Sequence, residues 1–222
     1  MFAVTGGTWG KEGLLRLEGD PVVSSMSKKD FLVILGDCGV FVPRTALSQT
    51  VSEYRSLPCS VLFLDGSRDD YDAIADQPPF PWNGGMVHMV SRGLIHLTRG
   101  QVFRLGGRTV LTMGGASTPG RTDSGKYWDW WPEQDPSSED EETAVRNVEE
   151  AGGEVDLVLS RDCPRSWLPP ASRNAGSVSS DVLESLLGRI SYGRWYFGNE
   201  NADADLDGVH ASAVCRRVIP IA

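Results

Sequence analysis

Asp37 is the first residue placed to do chemistry. It follows the apolar run Phe31 to Leu35 and opens the turn Gly36-Asp37-Cys38-Gly39. An acid directly after a strand buried on both faces stands at the carboxyl edge of an α/β sheet, where such sheets place their sites. Two more runs end in the same way: Phe2 to Thr5 enters Gly6-Gly7-Thr8-Trp9-Gly10, and Val61 to Asp65 enters Gly66-Ser67-Arg68-Asp69. Carboxylate and hydroxyl oxygens gathered at such an edge suit a hard cation, whereas an arginine among them can neutralise an acid or bind an oxyanion.

Other residues of chemical interest point elsewhere. His88 and His96 fall in strand-like segments away from these loops and are expected to be ordinary strand residues; His210 is the third histidine. Asp203-Ala204-Asp205-Leu206-Asp207-Gly208 matches the opening of a calcium loop, but its twelfth position is Val214, where a bidentate Glu is required, so an acidic hairpin turn is the expectation. Cys38, Cys59, Cys163 and Cys215 are widely spaced and form no CxxC pair. That pattern suits reduced, partly buried thiols in a cytoplasmic protein, and neither a disulfide framework nor a zinc ribbon. Neither a signal region nor an apolar run near the ~20 residues that span a bilayer is present.

The 222 residues carry 21 basic and 30 acidic side chains, a net charge of -9, and no Lys/Arg run exceeds two residues. Such a surface repels phosphate backbones and anionic lipid, so neither nucleic acid nor membrane is an expected partner. Tyr127, Trp128, Trp130 and Trp131 form an aromatic cluster within the Pro- and Gly-containing stretch Ser117 to Pro136. It reads as a long loop whose aromatics pack on the body or meet a partner, and the charge disfavours base stacking.

The elements that must position these residues alternate. Phe2 to Thr5, Phe31 to Gly36 and Val61 to Asp65 are strands. Thr45 to Leu57, with Leu47, Val51 and Tyr54 at helical spacing and Pro58 as a stop, and Asp70 to Ala75 are helices. Gly19 to Asp30 reads as a loop. Short segments from Met86 to Met113, split by Arg92-Gly93, Arg99-Gly100 and Gly106-Gly107, predict an antiparallel meander. Ser137 to Gly152 has a serine cap, early acids and a glycine stop. A strand (Val155 to Ser160), a helix (Ser177 to Ile190), a strand (Trp195 to Gly198) and one or two more over Val209 to Ile219 complete an α/β chain. No repeat or linker divides it, so residues 1–222 read as one domain.

The ordered loops TGGTWG (5–10), LGDCG (35–39), LDGSRDD (64–70), VLSRDCP (158–164) and FGNENAD (197–203) resemble those of the metallophosphoesterase, or calcineurin-like phosphoesterase, superfamily. WNGGMVHMV, IHLTRGQVF and TMGGAS are similar to its small bacterial branch. The resemblance implies a four-layer α/β/β/α sandwich and a dimetal phosphoester hydrolase with histidine as acid. Position by position, the family's first Asp and His are Gly7 and Trp9 here, and its bridging carboxylate survives as Asp37. Its Asn, catalytic His and following acid are Ser67, Arg68 and Asp69; its lone His is Arg161, beside Asp162; its last two histidines are Asn199 and Asn201. Six of seven ligand positions are thus changed, with Asp37 alone retained.

Glycine offers no ligand and guanidinium repels a metal, so the ordinary two-metal mechanism is expected to be lost. No cofactor is expected; oxygens of Asp37, Ser67, Asn199 and Asn201 are the remaining donors for a weakly held Mg²⁺ or Mn²⁺. The implied role is a catalytically degenerate relative that binds a protein or a phosphorylated small ligand. The alternative is a phosphoesterase with an altered, weak or single-metal site. With the metals gone, Arg68 or Arg161 is expected to pair with Asp37 or Asp69.

Overall fold

A computed structural model of the chain describes residues 1–118, 130–168, 177–198 and 202–221. In chain order the elements are β1 (Phe2–Thr5), α1 (Lys11–Glu18), α2 (Pro21–Ser24), β2 (Phe31–Ile34), α3 (Leu47–Tyr54), β3 (Ser60–Phe63) and α4 (Tyr71–Ala75). Then come β4 (Pro79–Trp82), β5 (Gly85–Ser91), β6 (Leu94–Leu97), β7 (Gln101–Leu105), β8 (Arg108–Met113), α5 (Ser138–Glu150) and β9 (Glu154–Ser160). The chain finishes with α6 (Val178–Leu187), β10 (Ser191–Gly198), β11 (Ala204–Leu206), β12 (Ala211–Val214) and β13 (Val218–Ile221). The result is an α/β protein with two mixed sheets and, among the described residues, six α-helices.

The first sheet runs β13-β1-β2-β3-β6-β5-β4, and the second β11-β12-β10-β9-β8-β7. β1, β2, β3 and β6 are mutually parallel, as are β8, β9, β10 and β12. Period-two alternation sorts each strand's side chains between two faces. Leu32, Ile34, Val61 and Phe63 join Leu14, Leu17, Val51, Tyr54 and Ile74 of the helices in one cluster. Val33, Leu35, Leu62 and Leu64 meet Val110, Leu157, Leu159 and Tyr196 of the other sheet in a second. Leu111, Val158, Trp195 and Phe197 pack with Val145, Val148, Leu183 and Leu186 of α5 and α6 in a third. β2 and β3 are therefore buried on both faces, and truncating Leu32 or Leu62 to alanine would cost about 2–5 kcal/mol.

Local chemistry accounts for most boundaries. Ser137 caps α5 through a reciprocal capping box with Asp140. Asp20 caps α2, accepting from the N–H groups of Val22 and Val23 at 2.8 and 3.2 Å, with Pro21 in the first turn. The stretch read as a loop from Gly19 to Asp30 thus holds a short helix. Before it lies α1, which the spacing did not reveal. Gly13 weakens its helical signature, yet a Cβ there would fall 2.0 Å from the Thr8 carbonyl oxygen, so only glycine lets the helix approach the β1 loop this closely.

Met86 to Met113 is not one meander. β5 and β6 form an antiparallel pair in the first sheet, with β6 beside β3, while β7 and β8 form another in the second. The chain changes sheet at Thr98 to Gly100, where a Cβ on Gly100 would come within 2.8 Å of the Asp140 carbonyl oxygen of α5. β4 contains Pro79 and Pro81, which argue against a central strand; it lies at the sheet's edge, the position that tolerates proline.

Candidate functional site

The parallel strands of both sheets end at one edge, and there their loops touch. A Cβ on Gly6 would lie 2.4 Å from the carbonyl oxygens of Val214 and Cys215, and one on Gly198 would lie 2.3 Å from that of Leu35. At this edge Asp37, Ser67, Asp69 and Arg161 are all buried. Asp37 sits at φ 45°, a left-handed conformation that a short acid tolerates, and Trp9 at φ 56°, which a bulky residue adopts only when held. The hold is visible: the Trp9 N–H donates to the Asp37 carbonyl at 3.1 Å. On the far side of the loop, the Cys38 carbonyl accepts from Thr8 Oγ1 at 2.7 Å and from the Tyr54 hydroxyl.

The Asp37 carboxylate is paired on both oxygens. Oδ2 lies 2.5 Å from Arg161 Nε, with side-chain exposures of 1% and 4%. Oδ1 accepts from the Arg68 N–H at 3.1 Å and Ser67 Oγ at 3.5 Å. Arg161 reaches Asp37 by crossing Gly36, where a Cβ would fall 2.0 Å from its Cδ. Gly7 lies against the same loop, since a Cβ there would stand 3.1 Å from the Gly36 oxygen and 3.5 Å from Asp37 Cβ. The arginine fork expected at Asp37 is therefore that of Arg161.

Arg68 takes a different course. Its guanidinium lies exposed, 4.9 Å from the Trp9 ring, while that of Arg161 lies 5.7 Å from the same ring. The indole remains 44% exposed, so the mouth of the site is an aromatic ring with two cations against it. Asp69 turns inward, its Oδ2 accepting from the Gly66 N–H at 2.7 Å. Burial, then Asp37 and Asp65, push its carboxyl well above the usual carboxylate range, against the Gly66 N–H and Arg161.

Asp162 lies beside Arg161 in sequence but faces α6. Its Oδ2 accepts from Ser179 Oγ at 2.6 Å and its Oδ1 from the Cys163 N–H at 2.9 Å, so it anchors a helix start. Asn199 and Asn201 lie outside the described residues, as do Tyr127 and Trp128 of the aromatic cluster. Trp131 packs into the helix-side core and donates to Asp72 Oδ2 at 3.2 Å. Asp203 accepts from the N–H groups of Cys215, Arg216 and Arg217, and Asp205 is held by Arg217, which suits the acidic hairpin. All four cysteines are free thiols, three of them buried. Among the described residues, no three His, Cys, Asp or Glu side chains are grouped to hold a metal, and no helix is long and apolar enough to cross a membrane.

A second polar cluster was missed by the sequence reading. His88 and His96 are cross-strand partners whose Nδ1 atoms lie 3.0 Å apart, and His96 Nε2 lies 3.2 Å from Asp65 Oδ1. Asp65 Oδ2 accepts from Arg99 Nε at 2.9 Å, Arg99 Nη2 at 2.5 Å and the Tyr71 hydroxyl at 2.9 Å. Burial raises the Asp65 pKa, but Arg99 and His96 outweigh it and hold the group well below the ordinary range. The Asp65 carboxylate accepts from His96 Nε2–H, and one proton lies between the two facing Nδ1 atoms. Burial and His96 in turn hold His88 down at about 4. The Arg92-Gly93 turn pairs Ser91 with Leu94 and would by itself set His88 opposite Leu97; a bulge between Met89 and Ser91 shifts the register by one and brings His88 opposite His96, so the turn alone gave no signal for the pair.

No protein-family model matches the chain, and no curated protein sequence matches it.

Proposed function

We propose that the chain adopts the four-layer α/β/β/α sandwich of the metallophosphoesterase type and is a catalytically degenerate relative that binds a phosphorylated small ligand without hydrolysing it. The observation that carries this reading is the buried Asp37–Arg161 pair. A guanidinium 2.5 Å from the one retained ligand carboxylate supplies, without a metal, the positive charge that a buried acid requires. It also opposes metal entry, because the group is a permanent cation with no lone pair to offer. The three separate clusters, helices with the first sheet, sheet with sheet, and the second sheet with α5 and α6, support the four-layer order.

Ligand binding rests on Arg68. Stacked over Trp9, its guanidinium keeps its in-plane donors for a phosphoryl oxygen at the mouth, with no acid within ion-pair distance among the described residues. Free thiols at Cys38, Cys59 and Cys163 suit a cytoplasmic setting.

Elemental analysis of the dialysed protein, hydrolysis of an aryl phosphate diester with added Mn²⁺, and calorimetric binding of phenyl phosphate test the reading. We expect no stoichiometric Mn, Fe or Zn, no turnover, and phenyl phosphate binding weakened at least tenfold by Arg68→Gln. Mn²⁺-dependent turnover abolished by Asp37→Asn would instead establish a phosphoesterase with an altered metal site.

A further inference from the structure

A cavity of about 600 Å³ lies at the opposite end of the inter-sheet core, away from Asp37. Its walls come from the beginnings of β8, β9 and β10 and from β13, and include Arg108, Asp156, Arg194, Tyr196 and Ile221. The inner end is apolar, since Leu157 and Tyr196 belong to the core between the sheets. The volume is within the ~300–1,000 Å³ of small-molecule sites and far exceeds what a bare ion needs.

Charge in this cleft is arranged unevenly. Arg194 lies over Tyr196, its Cζ 5.5 Å from the ring centre, and donates to Ser212 Oγ at 2.7 Å. Its nearest acid, Asp205, is 3.6 Å away, beyond hydrogen-bond reach, and is already bound by the Arg217 fork at 2.7 and 3.0 Å and by Ser212 Oγ at 2.7 Å. Asp156 is likewise supplied by Thr109, through its N–H at 2.7 Å and its hydroxyl at 2.8 Å, and is ion-paired with Arg108 at 3.6 Å. The acids thus have other donors, and Arg194, lying over an aromatic ring, gives one nitrogen, Nη2, to Ser212 Oγ and keeps the rest of its fork for a ligand.

We propose that this cleft binds a small organic monocarboxylate, with its apolar body against Leu157 and Tyr196 and its head on the Arg194 fork. A planar carboxylate matches the planar fork of a guanidinium. A single negative charge is favoured over a dianion because Glu154 and Asp156 share the cleft and repel a second charge. The site makes no use of Asp37, Arg161 or Arg68, so it stands whether or not the phosphoryl reading of that edge holds.

Titrating the whole chain with benzoate, benzyl alcohol and phenyl phosphate, followed by amide chemical shifts, tests it. Benzoate should saturate with shifts at β8 to β10 and β13, bind at least tenfold tighter than benzyl alcohol, and bind these strands tighter than phenyl phosphate does. Arg194→Gln should weaken benzoate at least tenfold, and Arg194→Lys should do so less. Since Arg194 also contacts Ser212, each variant's melting temperature is compared first, and Arg108→Gln provides a second variant at the same mouth, expected to weaken benzoate severalfold. The proposal is overturned by the absence of saturation below about 10 mM benzoate, equal binding of the neutral analogue, or unchanged affinity in a folded Arg194→Gln.

Discussion

Two buried aspartate–arginine pairs lie near the same sheet edge, and they are built differently. Asp65 receives four donor groups from Arg99, Tyr71 and His96, and Arg99 also donates to the carbonyls of Glu133, Gln134 and Asp135. Asp37 receives one nitrogen of Arg161, one backbone N–H and a long hydroxyl contact. Beside it stand Asp69, pushed toward protonation, and Trp9 in a left-handed conformation. The first pair is a clamp that ties β3, α4 and residues 133–135 together. The second is less completely satisfied, sits on loops and borders strained backbone, which are the marks of a site.

The comparison predicts unequal costs of removing each arginine. Arg99→Met leaves a buried acid at the centre of a network and should destabilise by about 3–5 kcal/mol in urea unfolding. Asp65 also predicts the acid limb of stability. Because its folded pKa lies below its unfolded value, its contribution is present above about pH 4 and is lost as pH falls below it. Asp65→Asn should flatten that limb between about pH 2 and pH 5.

Arg161→Met should cost less, about 1.5–3 kcal/mol, since Asp37 keeps the Arg68 N–H and the Ser67 hydroxyl. A loss equal to that of Arg99→Met would remove the distinction between clamp and site. The smallest effect is expected at Asp69. Its raised folded pKa means that stability is complete below the unfolded value, about pH 4, and declines as pH rises through the folded value. Asp69→Asn, whose amide oxygen can still accept from Gly66, should lie within roughly 1 kcal/mol of the parent at pH 4 and become the more stable protein toward pH 9. A difference in melting temperature that does not change with pH would show that Asp69 carries no such penalty.

Much of this architecture is legible in the residues themselves. The β-branched runs ending at Asp37 and Asp65, the capped acidic start of α5 and the proline stop after α3 are local signals, because strand burial, capping and proline sterics act within a few residues. Placement of Asp37, Ser67, Asp69 and Arg161 at one edge follows from strand ends alone. The helix at Lys11–Glu18 is hidden because Gly13 serves a contact with Thr8, 5 residues earlier in the chain, and lowers the local propensity by which helices are recognised. The strand at Pro79–Trp82 is hidden because proline is tolerated only at an edge, and edge status is a property of the finished sheet.

The sequence by itself determined the α/β alternation, the acids at the strand ends and the presence of two arginines, Arg68 and Arg161, in the loops that follow those strands. Only the tertiary structure decided which arginine meets Asp37. Both are long enough, but Arg161 alone has a bare glycine, Gly36, to cross, whereas Arg68 finds an indole surface at Trp9. The same is true of His88 and His96, two strand residues that become a hydrogen-bonded chain to Asp65 once β5 and β6 pair and β6 settles beside β3. Residue types set what chemistry is possible, and register and packing select the partners, because hydrogen bonds and ion pairs require contact at about 3 Å between groups 31 or 124 residues apart in the chain.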